Sequence, residues 1–186
     1  MSAAAPKPRR LETPRLLLHP LTLADQAAFH AINIDPDVAR YLFDGRQVSP
    51  ANSAAMLDAS RALLASQGHG LFAVRPRDAE TMVGWAGYLL SGHPPVLEVA
   101  YAVAPAVWGR GIAVEATRAV MVWGARHLGM TAFHASSDAP NLASLRVLEK
   151  LGFREAWHGV GVAGALIHLT LDAAAVDPSG IVCVAA

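Results

Sequence analysis

The chain has 186 residues, 53% of them apolar, which suits one globular domain with a full core and leaves two complete domains cramped. Lys+Arg and Asp+Glu balance at 15 each, so no whole-chain field draws the protein to nucleic acid or membrane. A single cysteine, Cys183, excludes an intramolecular disulfide and a cysteine-based metal cluster.

In chain order, residues 1–12 read as a flexible tail. They carry no apolar segment of the kind a signal peptide needs, and no run in the chain approaches the ~20 apolar residues that span a bilayer; a cytoplasmic protein is expected. Residues 15–20 (Arg-Leu-Leu-Leu-His-Pro) predict a first strand stopped by proline. Thr22 as N-cap and Asp25 as capping-box acid open a helix that buries Phe29 and Ile32. Residues 33–36 interrupt it, and 35–49 read as irregular. There Tyr41-Leu42-Phe43 either walls a pocket or closes over the core, and Asp44-Gly45 forms a turn. Ser49-Pro50 caps the next helix, which runs to Gly68.

Beyond Gly68 the period changes. Residues 71–74 and 82–90 form a strand pair around the polar turn 75–80, and 97–103 is a central strand. Ala113, Ala116, Val120, Met121 and Gly124 lie at three-to-four spacing, a stripe of small and apolar residues that packs on a sheet and stops at Gly129. A strand at 132–136, a helix with Leu142, Leu145, Leu148 and Leu151 on one side and Gly152 past its end, and a strand at 165–171 complete the series. Residues 173–186 read as a C-terminal tail. The hairpin requires antiparallel pairing and the crossover helix a parallel neighbour. The fold class is therefore α/β (α+β), a mixed central sheet with helices on both faces, in one domain over residues 13–172.

The chemistry is concentrated in residues 97–128. The central strand delivers the turn Trp108-Gly109-Arg110-Gly111-Ile112-Ala113 to a helix start, where backbone N–H groups have no intrahelical partner and favour an anion. Gly109 and Gly111 allow a tight bend and close approach of a bulky ligand, and Arg110 either adds charge or points to solvent. By themselves these glycines equally serve a plain strand-to-helix turn. The third glycine of a dinucleotide fingerprint is replaced by Val114, and the Gly-Lys-Ser/Thr of nucleotide hydrolases is absent.

A second motif, Asn141-x-x-Ser144-x-x-x-Leu148-Glu149-Lys150-Leu151-Gly152-Phe153, stands downstream. Together the two segments resemble the GNAT superfamily of acyl-CoA-dependent N-acyltransferases, over roughly residues 13–171. The opening Glu12-Thr13-Pro14-Arg15-Leu16-Leu17-Leu18, with Leu21-Thr22-Leu23-Ala24-Asp25, resembles the branch of the ribosomal-protein N-terminal acetyltransferases (RimJ/RimL-like).

The resemblance implies acetyl-CoA as co-substrate, no metal, and a sheet splayed at the central strand. The pantetheine arm would pair with the backbone of Tyr101, Ala102 and Val103, and the pyrophosphate would meet the turn formed by Trp108, Gly109, Arg110, Gly111, Ile112 and Ala113. A backbone N–H near Val103 would stabilise the oxyanion when an amine attacks the thioester directly. Amines are mostly protonated at neutral pH, so a base is needed. Glu98 is the candidate, its alternative being an exposed strand residue or a charge-pair partner. Ser144 would protonate the leaving thiolate or contact the pantetheine, or else satisfy a backbone group. Asn141 would bond to the pantetheine amide, and an asparagine at a helix start is also an ordinary cap.

Two departures stand out. Trp108 offers no charge where relatives often carry glutamine or arginine, and no tyrosine acid is evident just past the asparagine. His134, His158 and His168 lack a carboxylate at an informative spacing and read as strand or core histidines. Trp85, Trp123 and Trp157 read as core or pocket wall, with Trp85 and Tyr88 as candidates for the acceptor cleft. The expected function is acetyl transfer from acetyl-CoA to a peptide or small-molecule amine. A catalytically weak acyl-CoA-binding module for sensing or partner binding is the alternative, motivated by the missing tyrosine. Partners would be acetyl-CoA and the amine, with neither nucleic acid nor membrane, and a homodimer as in relatives that pair through late strands.

Overall fold

The computed structural model describes residues 6–43, 46–91, 95–161 and 164–185. Helix starts follow local chemistry. The Asp25 carboxylate accepts from the Thr22 N–H and hydroxyl, both at 2.8 Å, and the short 3-10 turn Leu23–Asp25 runs into α1 (Gln26–Ile34). The stretch expected to be irregular instead holds α2 (Pro36–Leu42): Asp35 accepts from the Asp37 N–H at 3.0 Å, and Pro36 provides the first helical residue. An Asp-Pro pair starts a helix as readily as it ends one, because proline needs no N–H partner in the first turn. The turn expected at Asp44-Gly45 lies outside the described residues. Ser49 accepts from the Asn52 N–H at 3.1 Å to start α3 (Pro50–Gln67), which stops at Gly68 with φ +76°.

Among the described residues nine strands form one mixed sheet: β1 (Pro8–Glu12), β2 (Leu16–Pro20), β3 (Leu71–Pro76), β4 (Gly84–Ser91), β5 (Val96–Val103), β6 (Ala132–Asp138), β7 (Arg154–Gly161), β8 (Gly164–Asp172) and β9 (Val182–Ala185). Their order is β7-β8-β6-β5-β4-β3-β2-β1-β9. Two of them correct the expected tails. β1 and β9 pair antiparallel, with Leu11 opposite Cys183 and Leu11 fully buried. Each segment is short; β1 becomes a strand because β2 and β9 satisfy its backbone groups, and β9 because β1 satisfies those on its inner edge.

The pleat divides the core into two layers. Leu16, Leu18, Phe72, Val74, Val99 and Val103 face α4 (Ile112–His127) and α5 (Leu142–Leu151), whereas Leu71, Ala73, Trp85 and Ala102 pack with Phe29, Val38 and Leu57 of α1 to α3. Trp85 and Trp123 lie wholly in these layers, their indole N–H groups donating to Asn33 Oδ1 at 2.8 Å and to the Gly68 carbonyl at 2.9 Å. Tyr88 is equally buried and donates to the Val120 carbonyl at 2.9 Å. An added Cβ at Gly124 would collide with that hydroxyl, so the helix needs its glycine there. Trp85 and Tyr88 are thus core residues, and their expected place in an acceptor cleft is corrected.

The feature that positions the site is uneven pairing of β5. It pairs antiparallel with β4 from Val96 to Val103, but with β6, its parallel neighbour, only at Glu98 opposite His134. Past Glu98 the two strands part, which is the expected splay.

Candidate active site

Backbone direction alternates along a strand, so one observed bond orients the others. The Ala104 N–H donates to the Val83 carbonyl at 2.8 Å, on the β4 side. Ala102 therefore also turns its backbone to β4, and its methyl group lies in the α1–α3 layer. This corrects the expectation that Ala102 faces a ligand with its neighbours. Tyr101 and Val103 point their backbone groups into the gap. The Val103 carbonyl is taken there by the Trp108 indole N–H at 2.6 Å, so Trp108 spends its one polar group closing the end of β5.

Beyond Trp108 the chain makes the glycine turn. Gly109 and Gly111 have φ of +75° and +76°, the left-handed region in which a side chain is strained. A Cβ at Gly109 would meet nothing within 4 Å, so backbone conformation and not crowding selects that glycine. Gly111 caps α4, accepting from the Glu115 N–H at 3.1 Å. Among the described residues no acceptor meets the N–H groups of Gly109, Arg110, Gly111, Ile112 or Ala113. The helix dipole adds to this donor row. The Arg110 carbonyl, by contrast, accepts from Arg15 Nη1 at 2.9 Å.

On the α4–α5 face, Tyr101 reaches α5. Its hydroxyl stands 2.9 Å from Ser144 Oγ and 3.2 Å from the Ser144 carbonyl. Burial pushes the Tyr101 hydroxyl up to about 12, opposed by its bond to Ser144, so at neutral pH it stays a proton donor. Asn141 Oδ1 caps α5 by accepting from the Ser144 N–H at 3.2 Å. The expected cap role of Asn141 is therefore filled by its oxygen, while its Nδ2 is not used in that contact. Tyr101 supplies a phenol beside Ser144 that the sequence did not place, because it arrives from β5 and not from the stretch after Asn141.

Glu98 lies three residues from Tyr101 and so on the opposite face of β5. It is buried, 8% exposed, so of its two alternative readings the exposed strand residue is excluded, and the charge-pair partner has His168 as a neighbour. Ser136 Oγ donates to Oε2 at 2.7 Å, and His168 Nδ1 lies 3.8 Å from Oε1. The His168 ring stacks on Trp157, with centroids 3.6 Å apart and planes 10° apart. Trp157 is 57% exposed and has an open side. His168 thus has the carboxylate neighbour that spacing alone did not reveal; the histidine, Ser136 and Trp157 occupy adjacent strands in one row, with Ser136 opposite His168 and His168 opposite Trp157. His158 instead meets Glu155 at 3.0 Å on the exposed edge. On the far side of the opening, the Tyr41 hydroxyl donates to the Pro140 carbonyl at 3.4 Å, which brings α2 over the β6–α5 turn as a wall. Among the described residues no group of three or more His, Cys, Asp or Glu forms a metal site, and no helix is long and apolar enough to cross a membrane.

The model of the Acetyltransferase (GNAT) domain family matches residues 15–154. The chain belongs to the GNAT acetyltransferases. Among curated GNAT relatives, the uncharacterized N-acetyltransferase YoaA of Bacillus subtilis is 29% identical over 146 residues, covering 78% of this chain and 82% of the relative. A solved protein of Bordetella pertussis assigned to the GnaT family superposes with a TM-score of 0.76 at 28% identity, over 87% of this chain and 98% of the other. The yncA protein of Salmonella typhimurium, solved with its cofactor acetyl-CoA, superposes with a TM-score of 0.68 at 21% identity, over 85% and 94% of the two chains. GNAT acetyltransferases use acetyl-CoA, and the nine-strand mixed sheet with its helices is the GNAT fold.

Proposed function

We propose that this protein transfers the acetyl group of acetyl-CoA to a primary amine, a peptide or protein α-amine or a small-molecule amine, by direct attack. The observation that carries the reading is the parting of β5 from β6 after Glu98, followed by the free N–H row of residues 109–113. The pantetheine arm lies along Tyr101 and Val103 as a substitute for the missing β6 partner. The pyrophosphate meets the N–H groups of Gly109 to Ala113 at the positive end of α4. The Asn141 side-chain amide nitrogen is available to the pantetheine.

The thioester carbon is then at the splay. Glu98 takes the proton of the acceptor ammonium, directly or through water, and the Ser136 hydroxyl holds the carboxylate in place. The amine nitrogen forms the C–N bond as the Val103 N–H supports the carbonyl oxygen, and the C–S bond breaks. Ser144 gives its proton to the thiolate and is replenished from Tyr101, whose phenol is still protonated at neutral pH; the second proton lost by the amine nitrogen passes to solvent, which restores the Tyr101 phenol. The opening motif supports the RimJ/RimL-like branch, and the exposed Trp157, stacked on the His168 that neighbours Glu98, supports an acceptor approaching from the β7 side.

The test is release of free thiol from acetyl-CoA with a panel of small amines and peptides, paired with calorimetry. Turnover on at least one amine is expected. Tight acetyl-CoA binding with no turnover on any amine would instead favour a binding module; the Tyr101 phenol beside Ser144 supports the enzyme reading.

A further inference from the structure

Glu115 stands in the first turn of α4, four residues past Gly111, and a carboxylate there opposes any anion bound at the helix start. It is also buried, with its side chain 10% exposed. Three donors from the corner between β1 and β2 converge on it. The Thr13 hydroxyl reaches Oε1 at 2.5 Å, the Arg15 N–H reaches Oε1 at 3.0 Å, and the Arg15 guanidinium reaches Oε2 through Nε at 2.6 Å and Nη2 at 2.5 Å. Burial works to raise the Glu115 carboxyl, but the bonds from Thr13 and Arg15 outweigh it and hold the group below its ordinary value.

The guanidinium has one more contact. Its Nη1 donates to the Arg110 carbonyl, inside the glycine turn. In a trans peptide the carbonyl and the following N–H point in opposite directions. Fixing the Arg110 carbonyl on Arg15 therefore fixes the Gly111 N–H away from Arg15, outward with the donors of Ile112 and Ala113. The Arg15 Nη2 also lies 3.5 Å from where a Gly111 Cβ would be, so the guanidinium backs the turn.

We infer that Arg15, anchored on Glu115 and assisted by Thr13, is a positioning residue for the anion site: it neutralises Glu115 and locks the Arg110–Gly111 peptide so that the turn presents its N–H groups to a diphosphate. The inference rests on the reading of residues 109–113 as the pyrophosphate site. Arg15 acts through the loop, since Nε, Nη1 and Nη2 all have partners within the protein.

The test is calorimetric titration of the full chain with CoA and with pantetheine, which lacks every phosphate. Wild type is expected to bind CoA at least about 100-fold tighter than pantetheine, from several charge-assisted bonds. Arg15→Gln is expected to weaken CoA about tenfold and leave pantetheine within about twofold. A simple loss of fold would weaken both ligands alike. Arg15→Lys keeps the charge but not the fork, and Thr13→Val removes one of the bonds on Glu115; each is expected to weaken CoA about threefold, and they serve if Arg15→Gln does not fold. CoA affinity within about twofold of wild type in these folded variants would overturn the clamp while leaving the loop assignment standing. Equal affinity of wild type for CoA and pantetheine would overturn the loop assignment, and the clamp with it.

Discussion

The two ends of the splay are built differently. The proposed cofactor end is a run of consecutive residues, Trp108 to Ala113, whose donors exist because two glycines turn the chain into a helix start. The proposed acceptor end is a row across the sheet, Glu98, Ser136, His168 and Trp157, each from a different strand. The first is shaped by backbone conformation and backed by one side chain, Arg15, whereas the second is made of side-chain contacts alone. A substitution at the first end should therefore alter binding of acetyl-CoA, and one at the second should alter turnover.

The largest expected effect is Gly111→Trp. A bulky residue at φ +76° strains the turn and fills the space over the donor row, and binding of acetyl-CoA should fall below detection by calorimetry with the far-ultraviolet dichroism unchanged. Unchanged affinity would break the comparison at its cofactor end. Glu98→Gln comes next. Loss of a general base should lower kcat at neutral pH by about 10²–10⁴-fold, with partial recovery at higher pH as more amine is free, and with the acetyl-CoA dissociation constant within about twofold. A wild-type pH–rate profile would take Glu98 out of the mechanism.

Tyr101→Phe probes the point where the two ends meet. It removes the phenol from Ser144 and should lower kcat roughly fivefold, the equivalent of about 1 kcal/mol for one hydrogen bond. Because the Tyr101 hydroxyl is raised to about 12, wild-type kcat should show no loss from its ionisation below about pH 10. The smallest effect is on stability. The folded-state value for Glu115 lies below its ordinary 4.5, so its contribution is full above that value and disappears as pH falls through the folded one. Melting temperatures measured between about pH 7 and pH 3 should therefore fall more for wild type than for Glu115→Gln.

Much of this was legible locally. Thr22 with Asp25, Ser49 with Pro50, and Gly68 and Gly152 marked helix ends correctly, because each acts on backbone groups within a turn of itself. At Asp35-Pro36 the same kind of signal is ambiguous, because a proline that interrupts one helix also starts the next. β1 and β9 were not legible at all, since what makes either a strand is a partner at the other end of the chain. His168 has no carboxylate near it in sequence, and the one beside it in the fold, Glu98, comes from β5. Glu115 did carry a signal: an acid in the first turn of a helix assigned to an anion calls for a cation nearby, and Arg15 is that cation.

The sequence by itself determined the glycine turn, the helix that follows it, the second motif with its Asn141 cap, and from these the family and its co-substrate. Those features are short-range, fixed by φ angles and hydrogen bonds among neighbours in the chain. Only the tertiary structure decided which backbone groups of β5 face the gap, that Tyr101 meets Ser144, that Ser136 and His168 attend Glu98, and that Arg15 meets both Glu115, 100 residues away, and the Arg110 carbonyl in the turn. The reason is strand order: pairing brings together residues whose separation along the chain has no period, so no local pattern records them.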